Sequence, residues 1–477
     1  MVRTRFAPSP TGFLHVGGLR TALYSYAFAK SQRGKFILRV EDTDLERLVP
    51  GATQGIYKIL KVFKIKWDEG PLVGGPYSPY IQSKRVPTGI YKEYADGLIE
   101  KGHAYYCFCH PESKEEIKER HQRREVRLRD KCRNLSLKNA ELKIKTGEKP
   151  AIRLRVPDHE KVSYYDFVLK KQITWQTKDI DEVVLLKSDG FPTYHLGVVV
   201  DDAVMKISHI IRGRDWLPST PVHLLLFKYL GFNLPKIGHL TDILDPAGGK
   251  LSKRKGSVSC EEFLDDGYLP EAILNFIMLL GWAPKDNRET FSLKEFVTEF
   301  KKGELQVANP VFNRKKLDWF NGVYIRKKSD RELARLIKPF APKGFNKTLI
   351  GKTIPLVKER IRKLSDFHDL VDFLVTRIQP GIDDLIQKGQ SSKETRAVLL
   401  LVSEKLQEIP EAKWSKKTLE KVISDLLGVI DWKKPDLFLT LRAAITGKKI
   451  SPPLFESMVI LGKNEALDRL EKVIISL

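Results

Sequence analysis

The first residues of the chain alternate between apolar or small side chains and arginines. Val2, Thr4 and Phe6 occupy every second position of this segment. A period of two is typical of a β-strand with one buried face. A Pro-Ser-Pro-Thr-Gly sequence then interrupts the alternation. The pattern therefore predicts a strand followed by a glycine-bearing loop.

A helix and a second strand follow this loop. Apolar residues recur with the spacing of one helix face at Leu19, Ala22, Leu23, Tyr26 and Ala27. The mostly apolar run that comes next, at residues 35–40, predicts a strand. Strand, helix and strand in close succession form a βαβ unit, which predicts a parallel sheet with a right-handed crossover.

Apolar runs later in the chain predict the other half of this sheet. They lie at residues 183–186, 198–200 and 207–211, and we expect all three to be strands of the parallel sheet. Residues 95–185 would then form an insertion into it. From about residue 262 onward, long helical patterns dominate, which predicts an all-helical C-terminal half.

The composition indicates a large folded protein. The chain has 477 residues, of which 42% are hydrophobic, and this excludes a disordered chain and suggests several domains. The apolar runs are far shorter than the roughly 18–20 residues of a membrane span, so we expect no transmembrane helix. Arginine and proline precede any apolar stretch at the start, so we expect no secretory signal. The four cysteines exclude a disulfide scaffold and favour the cytoplasm.

The charge is strongly positive. Lys and Arg number 83 against 60 Asp and Glu, which gives a net charge of +23. The excess is spread along the chain, with a concentration at residues 118–133 and a tilt toward residues 326–477. A distributed basic surface is typical of a protein that follows a phosphate backbone. The solvated faces of a lysine-rich protein explain the same composition, and composition leaves these two interpretations level.

Two segments have the residue types of a nucleotide site. At His15-Val16-Gly17-Gly18, glycines precede a predicted helix whose N-terminal N–H groups suit phosphate oxygens, and His15 is placed to donate to them. A capped turn with an incidental histidine explains the same four residues. A second glycine-flanked segment, residues 248–256, carries four basic residues. Taken by itself, this segment is also explained as a surface loop or a linker. Together the two segments suit nucleotidyl transfer, whose transition state concentrates negative charge on phosphates.

These segments resemble known signatures. Residues 7–18 (APSPTGFLHVGG) resemble the HIGH signature of class I aminoacyl-tRNA synthetases, and residues 250–254 (KLSKR) resemble their KMSKS loop. The wider context resembles the bacterial glutamyl-tRNA synthetase family. The segments that match are RVEDTD at 39–44, DEGP at 68–71, FPTYHL at 191–196, VVDD at 199–202, IRG at 211–213 and LRAAITG at 441–447.

The resemblance implies an α/β fold: a Rossmann-like parallel-sheet catalytic domain with an inserted α+β domain, followed by an all-helical C-terminal anticodon-binding half. The expected boundaries are 1–95 and 186–245 for the catalytic domain, 96–185 for the insertion that binds the tRNA acceptor end, 246–325 for a stem-contact region with the KMSKS-like loop, and 326–390 and 391–477 for two helical anticodon-binding domains.

The resemblance also implies a glutamate site. Arg5 and Arg212 match the positions that bind the side-chain carboxylate, and a guanidinium fork would also select against the neutral amide of glutamine. Glu41 matches the acidic group near the α-amino group, with Ser9 and Tyr194 as hydrogen-bonding neighbours. A helix cap is the alternative interpretation of Glu41, and ordinary core packing is that of Tyr194.

An ATP site is implied at the two signatures. His15 and Lys253 would contact phosphates, Gly17 would leave room for the adenosine, and Trp216 would pack beside the nucleotide. The residues expected to bind ATP are Ser9, His15, Gly17, Gly18, Trp216 and Lys253, and those expected to support catalysis are His15, Lys250 and Lys253.

Two residues depart from the family pattern. Arg214 stands where the family usually has an acidic residue, so the electrostatics of the ATP site would differ. Val198 stands where some members have asparagine, which leaves one contact to the amino acid unassigned.

Three cysteines resemble the zinc knuckle in the inserted domain of some members. Cys107, Cys109 and Cys132 match its thiolates, and zinc requires four ligands. Residues 128 and 134 are leucine and asparagine, where a tyrosine or a histidine would supply the fourth ligand, and His110 and His121 are possible substitutes. The missing fourth ligand favours reduced, partly buried cysteines over zinc.

The C-terminal half is expected to contact the tRNA anticodon. Arg360 aligns with an arginine that reads an anticodon base, and Arg362 is a rival because the helix around it is ambiguous by one turn. Arg442, Pro452 and Leu454 lie in the terminal segment that is expected to touch the anticodon. A solvated helix face and core packing are the alternative interpretations of these residues.

The resemblance implies a glutamate–tRNA ligase. With Mg²⁺ and ATP, the enzyme would convert L-glutamate to glutamyl-adenylate and transfer the glutamyl group to the 3′ end of tRNA(Glu), and activation would require bound tRNA. We expect a cytoplasmic monomer. The alternatives are a non-discriminating enzyme that also charges tRNA(Gln), a nucleotidyltransferase acting on a small metabolite, and a basic RNA-binding protein without catalysis.

Overall fold

The computed structural model describes residues 1–110, 113, 115–116, 119, 122, 131–251, 258–301 and 303–477. These residues form two compact units. One comprises Met1–Phe263 and Ile273–Arg314, and the other comprises Leu264–Ala272 and Lys315–Leu477. In the described part of the chain, no helix is both long enough and apolar enough to cross a membrane.

The described strands are short, and all of them belong to the first unit. In chain order they are β1 (Arg3–Phe6), β2 (Lys35–Leu38), β3 (Ala104–Cys107), β4 (Ala151–Leu154), β5 (Lys161–Asp166), β6 (Lys171–Gln176), β7 (Val184–Leu186), β8 (His209–Gly213), β9 (Lys236–Leu240), β10 (Trp282–Ala283) and β11 (Glu304–Leu305).

The described α-helices are Val16–Ser31, Ala52–Val62, Gln82–Arg85, Ile90–Glu100, Leu137–Lys145, Tyr194–Val204, Thr220–Tyr229, Cys260–Asp265, Pro270–Met278, Leu293–Phe300, Arg314–Arg326, Asp330–Ile337, Lys347–Val357, Asp366–Val371, Ile382–Leu385, Ser392–Gln407, Lys416–Leu427, Lys434–Thr446, Leu454–Leu461 and Lys463–Ser476.

The predicted βαβ unit is confirmed. β1 and β2 pair in parallel, with Arg3 opposite Lys35 and Phe6 opposite Leu38, and the helix Val16–Ser31 connects them. β8 and β9 form a second parallel pair. The N–H of Ser208 donates to the carbonyl of Arg3 at 3.0 Å, so β8 begins beside β1.

Two of the three later strand predictions are wrong. Residues 198–200 lie inside the helix Tyr194–Val204, where all three valines are buried, so the segment shows no helical period in the sequence. A short apolar run of this kind does not distinguish a strand from a fully buried helix. Residues 184–186 do form β7, but this strand pairs antiparallel with β4. Only the run at 207–211 supplies a strand of the parallel type, β8.

The segment predicted as an insertion contains its own antiparallel structure. β3, β4 and β7 form one three-stranded sheet, and β5 and β6 form a hairpin with Asp166 opposite Lys171. Along β5, Val162, Tyr164 and Asp166 are buried while the residues between them are exposed. This alternation turns the carboxylate of Asp166 inward together with the apolar face of the strand.

The second unit is helical in its described residues, as predicted. Serine N-caps start several of its helices: Ser329, Ser391 and Ser415 each accept a hydrogen bond from the backbone N–H three residues later. Two separate apolar clusters fill the unit. One contains Leu333, Ile354 and Phe367, and the other contains Leu399, Leu419 and Leu441.

Candidate active site and anticodon-binding residues

The candidate active site is a cavity of about 550 Å³ in the first unit. Side chains from the carboxyl ends of two parallel strands reach it, namely Arg5 from β1 and Arg212 from β8. Open parallel sheets bind ligands at this edge. Glu41, which follows β2, and His15, which precedes the first helix, also line the cavity.

His15 is the N-cap of the helix Val16–Ser31. Its Nδ1 atom accepts a hydrogen bond from the N–H of Gly18 at 3.2 Å, which fixes the imidazole at the positive end of the helix dipole. A Cβ atom on Gly17 would lie 2.9 Å from Cε1 of His15, so a side chain at this position would displace the imidazole. A Cβ atom on Gly18 would lie 2.7 Å from Cδ1 of Leu14.

The segments that flank the two signatures lie together. The N–H of Val16 donates to the carbonyl of Val258, and the N–H of Cys260 donates to the carbonyl of Leu14, each at 2.9 Å. These bonds join the HIGH-like loop to the chain just after the KMSKS-like loop. Lys253 lies outside the described residues.

Lys250 begins the KMSKS-like loop and lines the cavity. Its ammonium contacts the carboxylates of Asp215 and Asp242, with 3.1 Å to Oδ1 of Asp242. Burial works against its charge, but the hydrogen bonds to Asp215 and Asp242 raise the pKa of Lys250. The lysine is therefore cationic at neutral pH and is held by acidic neighbours.

Arg5 is buried, with 4% of its surface exposed, and its Nε atom donates to Asp202 at 3.1 and 3.2 Å. Asp202 also accepts from Arg39 at 2.7 Å. Burial opposes the ionisation of Asp202, but the charges of Arg39 and Arg5 hold its pKa below the ordinary value. The carboxylate thus anchors Arg5 through Nε and leaves its terminal amino groups without a described protein acceptor.

Glu41 is fixed by the arginine two residues before it. Its Oε1 atom accepts from Nη2 of Arg39 at 2.8 Å and from Nε at 3.3 Å, and burial raises the pKa of Glu41. Its backbone N–H donates to the carbonyl of Pro8 at 3.0 Å. Glu41 does not cap a described helix. Its second carboxylate oxygen has no described hydrogen bond.

Arg212 is buried, and its N–H groups form hydrogen bonds with neutral side chains. Nε donates to Nε2 of His239 at 3.0 Å, and Nη2 donates to Oγ1 of Thr220 at 2.9 Å. Nη1 contacts Nδ1 of His223 at 3.1 Å and donates to the hydroxyl of Tyr194 at 3.3 Å. Several elements thereby fix one guanidinium at the cavity wall.

Tyr194 and Trp216 form one aromatic wall. Their ring centroids are 4.1 Å apart and their planes are tilted by 30°. Burial raises the pKa of Tyr194 to about 12, so the hydroxyl is protonated at neutral pH. Trp216 is 40% exposed, and Ser9, in the loop that follows β1, is also exposed at the cavity.

The two departures from the family pattern have different surroundings. Arg214 is exposed and lines the cavity, and no described residue makes an ion pair with it. Val198 is 2% exposed and packs in the hydrophobic core of the first unit.

The residues that support Arg5 and Arg212 were not among the site residues predicted from the sequence. These are Arg39, Asp202, Thr220, His223 and His239, together with Asp166. Arg39 and Asp202 lie within segments that resemble the synthetase family, RVEDTD and VVDD. A charged residue next to an apolar run was the only feature of the sequence that could have indicated their role. The histidines and Asp166 carried no motif, because their relationship to Arg212 exists only in three dimensions.

Cys107, Cys109 and Cys132 lie together, with all three sulfur atoms within 4.8 Å of one another. The Sγ atoms of Cys109 and Cys132 are 3.9 Å apart, and Cys132 also accepts from the N–H of Phe108 at 3.3 Å. His110 does not belong to this group in the described residues, and His121 lies outside them.

In the second unit, Arg360 and Arg442 converge on one segment. Nη1 of each donates to the carbonyl of Ser451, at 3.2 and 3.3 Å, and Arg442 also donates to the carbonyl of Pro452 at 2.7 Å. Burial and the neighbouring charge of Arg360 lower the pKa of Arg442. Leu454 is 3% exposed and belongs to a hydrophobic core.

Arg362 has a different environment from its rival. Its N–H donates to Asp366 at 2.8 Å and its carbonyl accepts from Asn321 at 2.6 Å. Its side chain has no described contact with the segment of Ser451. Arg360, rather than Arg362, is therefore the arginine that shares this segment with Arg442.

The chain matches two known protein families. The family described as "tRNA synthetases class I (E and Q), catalytic domain" matches residues 1–319, and the family described as "Anticodon binding domain" matches residues 332–474.

Similar proteins cover the same length. A protein of Borreliella burgdorferi named glutamate–tRNA ligase is 42% identical, over 98% of this chain and 97% of its own. One of the same name from Finegoldia magna is 38% identical over 99% of each chain. The crystal structure of a glutamate tRNA ligase from Elizabethkingia meningosepticum, in complex with its amino acid, superposes with a TM-score of 0.85 at 32% identity, covering 100% of this chain and 99% of that one. The chain therefore belongs to the class I tRNA synthetases of the E and Q family, with a C-terminal anticodon-binding domain.

Proposed function

We propose that this protein is a glutamate–tRNA ligase, which activates L-glutamate with ATP and transfers it to tRNA(Glu). The observation that carries the proposal is the placement of Arg5, Arg212 and Glu41 around the cavity that His15 also lines. Two cations and one carboxylate suit an amino acid with two carboxylates and one ammonium group.

Glutamate would bind with its side-chain carboxylate toward Arg5 and Arg212. The terminal amino groups of Arg5 have no described protein acceptor, so they can form a charge-assisted pair with the ligand. The second oxygen of Glu41 would accept from the α-ammonium group. Glutamine would leave two buried cations facing a neutral amide, which is unfavourable.

ATP would bind along the wall made by His15, Trp216 and Lys250. An oxygen of the α-carboxylate of glutamate attacks the α-phosphorus of ATP, which forms glutamyl-adenylate and releases pyrophosphate. The helix N-terminus at His15 and the lysines at 250 and 253 would stabilise the charge that develops on the phosphates. Mg²⁺ bound with ATP would neutralise part of that charge.

The side chain of Lys250 would change partners on ATP binding. Its ammonium is already engaged by Asp215 and Asp242. A phosphate oxygen must therefore compete with two carboxylates, and we expect the lysine to exchange one of them for the nucleotide.

The second unit would bind the anticodon. Arg360 and Arg442 place two cations on the segment of Ser451, and no described carboxylate forms an ion pair with either of them. Two neighbouring arginines of this kind can donate hydrogen bonds to the edge of an RNA base or to a phosphate. In the transfer step, a hydroxyl of the terminal ribose attacks the carbonyl carbon of the adenylate, an ester forms, and AMP leaves.

We also propose that Cys107, Cys109 and Cys132 provide three of the four ligands of a zinc ion, although the described residues add no fourth histidine, cysteine or carboxylate to this group. Thiolates at about 2.3 Å from a tetrahedral zinc lie about 3.8 Å apart, close to the 3.9 Å between the sulfur atoms of Cys109 and Cys132. Metal analysis of protein purified without chelator should give one zinc per chain, and Cys132→Ser should lose it. A wild-type protein free of zinc would instead support three reduced cysteines.

Pyrophosphate exchange tests the main proposal. Exchange should require both glutamate and tRNA(Glu), and aminoacylation should yield glutamyl-tRNA. Exchange that needs glutamate but no RNA would favour a simpler nucleotidyltransferase, and RNA binding without exchange would favour a non-catalytic protein. Charging of tRNA(Gln) in a parallel reaction would identify the non-discriminating form. The glutamyl-tRNA product would serve protein synthesis in the cytoplasm, where we expect the enzyme to act as a monomer.

A further inference from the structure

Arg212 is a buried cation without a described carboxylate partner. Its exposed fraction is 4%, and its donors go to His239, His223, Thr220 and Tyr194. Four other buried arginines of this unit do have such partners: Arg3 pairs with Glu69, Arg5 with Asp202, Arg39 with Glu41 and Asp202, and Arg85 with Asp201. Arg20, which is also buried, instead donates to the backbone carbonyls of Leu280 and Thr241 and lies outside the group around Arg212. The charge of Arg212 is therefore held in place by neutral acceptors.

A buried carboxylate lies one imidazole away. Oδ2 of Asp166, the last residue of β5, is 2.7 Å from Nδ1 of His239. Asp166 is completely buried and also accepts from the hydroxyl of Tyr164 and from the backbone N–H groups of Val168 and Leu169. Burial opposes its ionisation, but the hydrogen bonds from His239, Leu169 and Tyr164 lower the pKa of Asp166.

The contacts of His239 determine its tautomer. A guanidinium only donates, so Nε2 of His239 must accept from Nε of Arg212 at 3.0 Å. The ring proton is then on Nδ1, which donates toward Oδ2 of Asp166 at 2.7 Å and lies 3.0 Å from the hydroxyl of Tyr164. Burial lowers the pKa of His239, which keeps the ring neutral. Protonation would remove the acceptor that Arg212 uses.

We propose that Asp166 and His239 are positioning residues that fix Arg212 for recognition of the side-chain carboxylate of glutamate. The inference rests on the proposed function. A carboxylate paired directly with Arg212 would compete with the ligand, whereas an imidazole bridge orients the guanidinium and leaves its charge for the substrate. The fixed tautomer excludes the alternative orientation, in which two N–H groups would face each other.

The hydrogen bond between Asp166 and His239 connects the amino acid site to the segment that is predicted to bind the tRNA acceptor end. Asp166 ends the first strand of the β5–β6 hairpin, and His239 lies on β9 of the parallel pair. The N–H of Phe167 donates to the carbonyl of Ile237 at 3.2 Å, so the backbones of the two elements are joined at the same place.

Asp166→Asn tests the inference. The amide can either accept from or donate to Nδ1, so the carboxylate that requires a proton on Nδ1 is lost and only the contact with Arg212 still favours this tautomer. We expect the KM for glutamate in tRNA-dependent exchange to rise about tenfold, the effect of losing one charge-assisted hydrogen bond, while the KM for ATP stays within twofold. The ratio of kcat/KM for glutamate over glutamine should fall. Asp179→Asn, an exposed residue near the same hairpin, is the matched control and should change neither constant.

Tyr164→Phe provides a milder second variant, in case Asp166→Asn fails to fold. It removes the hydroxyl that donates to Asp166 at 2.8 Å and keeps the ring that stacks on Trp175. We expect a rise of about threefold in the KM for glutamate alone. Unchanged glutamate constants in these variants, or equal changes for glutamate and ATP, would overturn the inference. A wild-type enzyme with no exchange would instead overturn the proposed function.

Discussion

Nε of Arg5 lies 3.1 Å from Oδ1 of Asp202, and both side chains are almost fully buried. The bond uses the inner nitrogen of the guanidinium, so the outer two nitrogens have no described protein acceptor, and Arg5 lines the cavity. Asp202 simultaneously binds Arg39, which binds Glu41. One carboxylate thus supports both the proposed cation for the glutamate side chain and the proposed anion for its ammonium group.

We expect Asp202→Asn to destabilise the first unit by about 3–5 kcal/mol, because it leaves buried arginine charge uncompensated. Denaturant unfolding followed by circular dichroism measures this change. Asp44→Asn is the matched control, since Asp44 pairs with Arg47 at 3.7 Å on the surface and should contribute less than about 1 kcal/mol. Equal effects of the two substitutions would contradict the role of burial.

Lys253→Ala should lower the rate of adenylate formation by about 100- to 1000-fold, because a cation that stabilises the transition state is lost. Single-turnover formation of glutamyl-adenylate in the presence of tRNA measures this step. Folding should change little. Lys236→Ala, at an exposed position that starts β9, should leave the rate unaltered. An unaffected rate in Lys253→Ala would remove this lysine from the mechanism.

The buried histidines predict loss of stability in acid. Burial and the charge of Arg212 hold the pKa of His223 well below its ordinary value of 6.5. Below pH 6.5 the unfolded chain binds a proton at this residue and the folded chain does not, so stability falls as the pH decreases. At pH 5.5 the loss from one such histidine is about 1.4 kcal/mol.

Unfolding free energies at pH 7.5 and pH 5.5 test this expectation. His223→Gln lacks the titrating group, so its stability should decrease by about 1.4 kcal/mol less than that of the wild type over this interval. Identical pH dependence in wild type and His223→Gln would show that His223 is protonated in the folded protein.

Arg360→Ala should weaken tRNA binding by about 1–3 kcal/mol, the range for loss of one arginine contact to a base. Filter binding at fixed salt measures the affinity, and Arg362→Ala is the neighbouring control. Across a salt titration, tRNA affinity should fall steeply while the KM for glutamate changes far less. Equal losses for the two arginine variants would point to general electrostatics rather than a specific contact.

The elements with a clear period were predictable from sequence, and those without one were not. In the strand Arg3–Phe6 the apolar or small side chains recur every two residues, and in the helix Val16–Ser31 the apolar positions recur about every 3.6 residues. Residues 198–200 were misassigned, because a helix buried on every side has no polar face to mark its period. β7 was found but placed in the wrong sheet, because strand composition does not encode the pairing partner.

By itself, the sequence determined the family resemblance, the excess of positive charge and the residue types of the amino acid and nucleotide sites. These are local properties, carried by neighbouring residues at fixed spacing. Only the tertiary structure decided what holds those side chains in place. Asp166, Arg212 and His239 are far apart along the chain, and they meet because β5, β8 and β9 pack together. Hydrogen-bond partners of this kind depend on distances in space, which a linear pattern does not contain.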